Sequence, residues 1–307
     1  MITSFFNTSK PVHFVLVALL MLIVFVFFRI EAFNEEFNLI NTLSQVGVFL
    51  VVILTFSVFA FLVGKNNLTQ KNSYKILLLL LLFATLPATL MNDNIILSNF
   101  FIVLALRRLV SLRTNIRIKK KLFDAAFWIV IASLFYFWAI LFFALIILAL
   151  VLFSISQFKN WIVPFVAILT VVVLYVSYHI IVFDSFGEIN NYIAKISFDY
   201  TGYNSIKMIV GITVISSLGL WSSIFYINGL KEKARNQKPS SILILFTLLI
   251  AILIVVLTNG KSGAEFIFIF APLAIILTNY IEALNEKWFA EAFIWLLVIA
   301  PFVSLLL

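Results

Sequence analysis

The chain contains no cysteine. A disulfide framework, a thiolate nucleophile and a cysteine-bound metal are therefore excluded. Histidine is nearly absent too. Only His13 and His179 occur, far apart in sequence, so a histidine metal site is not expected. Charge is scarce: Asp, Glu, Lys and Arg make up 11% of the chain, against about 25% in an ordinary soluble domain. No Walker motif, Gly-rich dinucleotide fingerprint or HExxH occurs. No cofactor is expected, and the short polar loops leave no room for a nucleotide-binding domain. What remains is hydrocarbon. Hydrophobic residues make up 64% of the 307 positions, with a mean hydropathy of +1.17. The fold class is all-α, a polytopic transmembrane helical bundle, because unbroken apolar runs exclude a barrel. Neither an internal repeat nor a linker divides it, so 1–307 reads as a single integral membrane domain. The net charge of +8 is not a nucleic-acid signal in such a chain. It fits cytoplasmic loops facing anionic lipid.

A spanning helix needs about 20 apolar residues. The runs 12–28, 46–64, 74–91, 161–183, 207–226, 241–258, 265–280 and 291–307 qualify, and the shorter 95–106 lies between polar turns. The first of these reads as a retained helix. The basic residues then set topology, because positively charged loops stay inside. Lys65, Lys71 and Lys75 mark one loop, Arg107 to Lys121 a second, and Lys231, Lys233, Arg235 and Lys238 a third. An odd number of crossings must separate Lys121 from Asp184. That requires the uncharged stretch Ala125–Phe153 to be two short helices, divided near Tyr136-Phe137-Trp138. The result is about 11 helices with a cytoplasmic N-terminus. It leaves only Arg29, Lys195, Lys207 and Lys261 of the 21 Lys and Arg outside. In the longest outer loop, Ile189, Tyr192, Ile193 and Ile196 have helical spacing and would form an apolar face lying on the outer leaflet.

Few residues can carry chemistry. The densest group is Arg29 to Glu36, with Glu31, Glu35 and Glu36 at the mouth of the first helix. A carboxylate crowded by like charges at a partly dry interface is a better base. The alternative is a solvated loop. Asp93 lies in the turn Asn92-Asp93-Asn94, which either uses Asx turn chemistry or brings a further carboxylate beside the first loop. Lys261, in Asn259-Gly260-Lys261-Ser262-Gly263, either completes a simple turn or offers an ammonium and backbone N–H groups to a phosphate. His179 sits near the outer end of its helix, as a helix-end histidine or a phosphate contact. The basic run 107–121 reads as a lipid-facing surface segment, or as a site for a partner or a lipid diphosphate.

Glu35-Glu36-Phe37, in an outer loop after an N-in helix, resembles the acidic motif of the lipid-dependent C-type membrane glycosyltransferase superfamily. Phe123-Asp124-Ala125 leading to Phe135-Tyr136-Phe137-Trp138 is similar to the paired short helices of those enzymes. Glu265 to Leu273 is similar to their late Pro-Leu helix. The acidic pair here is Glu-Glu where the superfamily carries Asp-Glu. The whole chain also resembles an uncharacterised family of multi-pass inner-membrane proteins of the Bacteroidota. The first resemblance implies transfer of a sugar from polyprenyl phosphate to an acceptor on the outer face of a bacterial inner membrane. The lipid-linked sugar would be the co-substrate. Glu35 or Glu36, with Glu31 and Asp93 nearby, would be the catalytic carboxylates, and Arg29, Lys261 and His179 would hold the phosphate. An outer cavity open to lipid and lined by the Glu pair, Asp93 and Lys261 is then expected. Two other readings remain: a non-catalytic subunit with an envelope protein partner, and a transporter or flippase of a lipid-linked solute. Membrane lipid is the partner common to all three.

Overall fold

The computed structural model describes residues 2–30, 39–184 and 194–306. Among these there are twelve α-helices and no strand. In chain order they are α1 (Ile2–Phe6), α2 (Pro11–Phe28), α3 (Leu39–Asn66), α4 (Tyr74–Thr85), α5 (Asp93–Val110) and α6 (Ile118–Phe135). The remainder are α7 (Ala144–Leu152), α8 (Phe158–Phe183), α9 (Ile206–Gly229), α10 (Lys238–Leu257), α11 (Ile267–Ala283) and α12 (Lys287–Leu306). Eight helical segments are long and apolar enough to cross a membrane, so this is a multi-pass membrane protein.

Local chemistry explains the helix ends. Pro11 opens α2, where its missing N–H costs nothing. Pro87 ends α4, because the residue before a proline disfavours the helical region; Leu86 accordingly lies at φ −129°, ψ 77°. The run 74–91 is thus a short helix followed by a 3-10 turn at Pro87–Leu90. Asn92 caps α5, its side chain accepting from the Ile95 N–H at 3.1 Å. The long stretch Ala125–Phe153 does divide at Tyr136, which is extended at φ −148°, ψ 105°. A 3-10 segment, Phe137–Phe143, then leads into α7. The break is held from outside: the Tyr136 hydroxyl pairs with Thr258 Oγ1 at 2.6 Å, and its ring stacks on Phe268.

The core is built around α4 and α11. All twelve residues of α4 are buried, and 94% of the apolar window within Ala264–Ala283 is enclosed by protein. Helices α4, α5, α9 and α10 surround α11, while α2, α11 and α12 pack on α4. By contrast, only 11% of the apolar window in α8 is buried. Its exposed Phe165, Leu169 and Ile181 suit lipid. The short α1 packs on α12, where Glu291 accepts from the backbone N–H of Ile2 at 2.7 Å and of Thr3 at 3.0 Å.

This packing sorts the polar segments to two ends. The N-terminal segment meets the loop after α3: Ser73 N–H donates to Phe6 O, and buried His13 bonds Ser73 Oγ at 3.0 Å. Lys65 and Arg107 both lie over the Phe61 ring, at 5.1 and 5.7 Å. The loop 230–237 joins the same end through Lys233, which donates to Asn279. At the other end lie Arg29, Pro87–Asp93, Tyr136 and 258–266. Ile189, Tyr192 and Ile193 lie outside the described residues. The chain around Ile196 has no regular structure, and the described part of this loop holds a single 3-10 turn, Thr201–Tyr203.

Candidate functional site

Glu31, Glu35 and Glu36 lie outside the described residues. Their flanking neighbour Arg29 is 5% exposed and forms an ion pair with Asp93. The pair joins the end of α2 to the first turn of α5, where a carboxylate is also favoured by the helix dipole. One guanidinium nitrogen of Arg29, Nη1, is buried without a partner among the described residues. The structure therefore brings Arg29 and Asp93 together, whereas Lys261 and His179 have other neighbours. The Lys261 ammonium is buried and donates to the carbonyls of Ser197 and Thr258, both at 2.6 Å. It also sits 4.6 Å over the Tyr200 ring. Next to it, Glu265 is 1% exposed. It accepts from the Tyr203 hydroxyl, and from Ser262 Oγ at 3.3 Å. Burial first, and then this bond to Glu265, hold the Tyr203 phenol above its usual range. His179 packs among Tyr175, Tyr178 and Phe183, with ring centroids 4.4–5.9 Å away.

The basic end is more open. A cavity of about 510 Å³ is lined by seven cations: Lys65, Arg107, Arg108, Arg113, Arg117, Lys120 and Lys121. Two left-handed residues, Asn115 (φ 52°) and Arg117 (φ 53°), turn the chain so that α5 and α6 both deliver cations to it. Lys121 fixes that turn, donating to Ser111 O at 2.5 Å and Thr114 Oγ1 at 2.7 Å. One carboxylate is engaged: Asp124 pairs with Arg108 at 2.9 Å. The Nε atoms of Arg107 and Arg108 are buried without a partner among the described residues. Exposed Phe61 and Ile116 line the same cavity. A family model described as a family of unknown function, DUF6427, matches residues 9–306. The chain belongs to this family. No curated protein matches the chain, and neither does any solved structure.

In this DUF6427 member there is a second cavity, of about 570 Å³, and Asn66 lines both. Its walls come from the 66–71 segment, the 233–241 segment and the end of α11. Lys233 donates to Ser241 Oγ and Asn279 Oδ1, each at 3.1 Å, and lies 4.4 Å over the Tyr226 ring. Burial lowers its pKa to about 8, with Glu282 acting in the opposite direction. Glu282 accepts from the Gln70 N–H at 3.0 Å and from Asn72 Nδ2 at 2.5 Å. The sequence reading missed Lys233, Asn279 and Glu282 as neighbours. A signal existed: Asn279 and Glu282 are three apart in an otherwise apolar helix, so they share a face.

Proposed function

We propose that the protein binds a phosphate-bearing amphiphile, with the anionic head in the cationic cavity and the tail in the surrounding bilayer. One observation carries the reading: seven cations converge on one concave site, and two of its guanidinium groups hold buried donors with no partner among the described residues. Scattered loop charges would satisfy the positive-inside rule without a cavity. Guanidinium groups suit phosphate because they offer donors in a planar fork. Phe61 and Ile116, 47% and 64% exposed beside those charges, favour a ligand with an apolar part over a free nucleotide. On the positive-inside rule the basic end faces the cytoplasm of a bacterial inner membrane, with the N-terminus inside and about 11 crossings.

The test is binding of polyprenyl phosphate, against the uncharged polyprenol, by the full chain in nanodiscs. The phosphate should bind at least ten-fold more tightly, and the advantage should shrink as salt rises. Arg107→Gln with Lys120→Gln should remove it. Equal binding of phosphate and alcohol by the unaltered protein would sink the proposal.

A second reading is favoured by the orphan Nη1 of Arg29, which borders the acidic segment. It is C-type-like glycosyl transfer on the opposite side. Glu35 or Glu36 would take the proton of an acceptor hydroxyl. That oxygen would bond to the anomeric carbon as the bond from that carbon to the phosphate oxygen breaks. Arg29 would hold the departing polyprenyl phosphate. Glu35→Gln and Glu36→Gln should then abolish transfer and leave membrane insertion intact. Unchanged transfer in the double variant removes the pair from the mechanism.

A further inference from the structure

The cavity that shares Asn66 with the cationic one has a different chemistry. Two of its three charged residues are already engaged: Lys233 by Ser241 and Asn279, and Glu282 by Gln70 and Asn72. Lys71 lies exposed at the wall. Apart from Lys71, the groups left over are neutral. Ser240 is 1% exposed, lines the cavity, and its hydroxyl is buried without a partner. A buried hydroxyl left unpaired carries the full cost of its lost hydration, and among the described residues this one has no acceptor or donor. Gln237 lines the same space, and no bond of its carboxamide to another described residue is formed. A carboxamide and a hydroxyl together offer both donors and acceptors, the complement of a ring of hydroxyl groups. Cavities of 510 and 570 Å³ each lie in the range of small-ligand sites.

We propose that the two cavities form one bipartite site, divided at Asn66, for the phosphate ester of a neutral polyhydroxyl ring, a sugar or a cyclitol. The phosphate lies among the guanidinium groups and the ring lies against Gln237 and Ser240. Asn66 is suited to the dividing position because it is locked: it is 3% exposed, and its Nδ2 donates to Leu62 O at 2.8 Å. This inference rests on the amphiphile reading for its phosphate half and adds the ring.

The experiment compares polyprenyl phosphate, polyprenyl-phosphate glucose and soluble glucose 1-phosphate on the full chain in nanodiscs. The glucosylated lipid should bind at least ten-fold more tightly than the bare lipid phosphate. Gln237→Leu and Ser240→Val, made separately so that one failed fold is not decisive, should erase that difference and leave bare-phosphate affinity unchanged. If glucose adds nothing in the unaltered protein, the bipartite site is overturned and the amphiphile reading stands. Binding of neither lipid overturns both. If glucose 1-phosphate competes as well as the glucosylated lipid, the bipartite site is supported and the ligand is a free sugar phosphate, which overturns the amphiphile.

Discussion

Lys261→Met is expected to release the segment 194–203 from the bundle. The ammonium joins that segment to the α10–α11 turn through two 2.6 Å bonds, to Ser197 O and Thr258 O, and it covers the Tyr200 ring. Hydrogen bonds to a charged group contribute about 1.5–3 kcal/mol each. A cation over an aromatic face adds about 0.5–2 kcal/mol. Methionine keeps the apolar stem but removes every donor, and the gain from no longer burying a charge offsets part of the loss. A net cost of about 3 kcal/mol is reasonable, which raises the open population of the segment on the order of 100-fold. Proteolysis tracks that population when closing is fast. Trypsin cleavage after Lys195 should therefore accelerate by one to two orders of magnitude in Lys261→Met, measured against cleavage at exposed Lys71 in the same sample. Unchanged cleavage would refute the clamp and return the ammonium to ligand binding.

Three further outcomes can be checked together. A methyl group at Gly202 would sit 1.9 Å from the Lys261 carbonyl oxygen, so Gly202→Ala should open the same segment in the same tryptic assay. Arg29 is buried but the Asp93 side chain is 40% exposed, so solvent screens their attraction; a double-mutant cycle with Arg29→Met and Asp93→Asn, read by thermal melting in detergent, should give about 1 kcal/mol of coupling. Lys233 titrates near 8 in the folded protein, below an ordinary lysine. The unfolded chain therefore binds more protons between about pH 8 and 10.5, and stability rises with pH across that window and is flat below it. Lys233→Met should flatten the rise in thermal midpoint, which amounts to about 1–2 kcal/mol after screening.

Much of the architecture could be read from charge and hydropathy. The break at Tyr136 follows from counting basic loops, because the third cluster could not otherwise return to the same side. The basic segments 65–75, 107–121 and 231–238 do gather at one end of the bundle. The polar cavity was not legible. Its members come from three segments joined by side chains, such as Asn279 Nδ2 donating to Leu68 O at 3.0 Å across more than two hundred residues, and no local pattern marks such a meeting. Lys261 shows the opposite limit. Its Gly-rich turn was apparent, but whether the ammonium faces a phosphate or the chain's own carbonyls depends on where Ser197 lies. Glu265, which opens the late apolar run, is enclosed, with the Tyr203 hydroxyl bonded to it.

The enclosure of α4 and α11 bears on how the protein is made. Twelve residues of α4 span about 18 Å, well short of a hydrocarbon core of about 30 Å. A segment of that length gains little by standing alone in lipid. Its lasting partner α11 begins at Ile267, so it leaves the ribosome long after α4 has been synthesised. In the interval α4 depends on α2 and α3 for shelter. Chains stopped before α11 should hold α4 loosely or on the wrong side of the bilayer, and the final two helices act as the step that commits the earlier ones to their places.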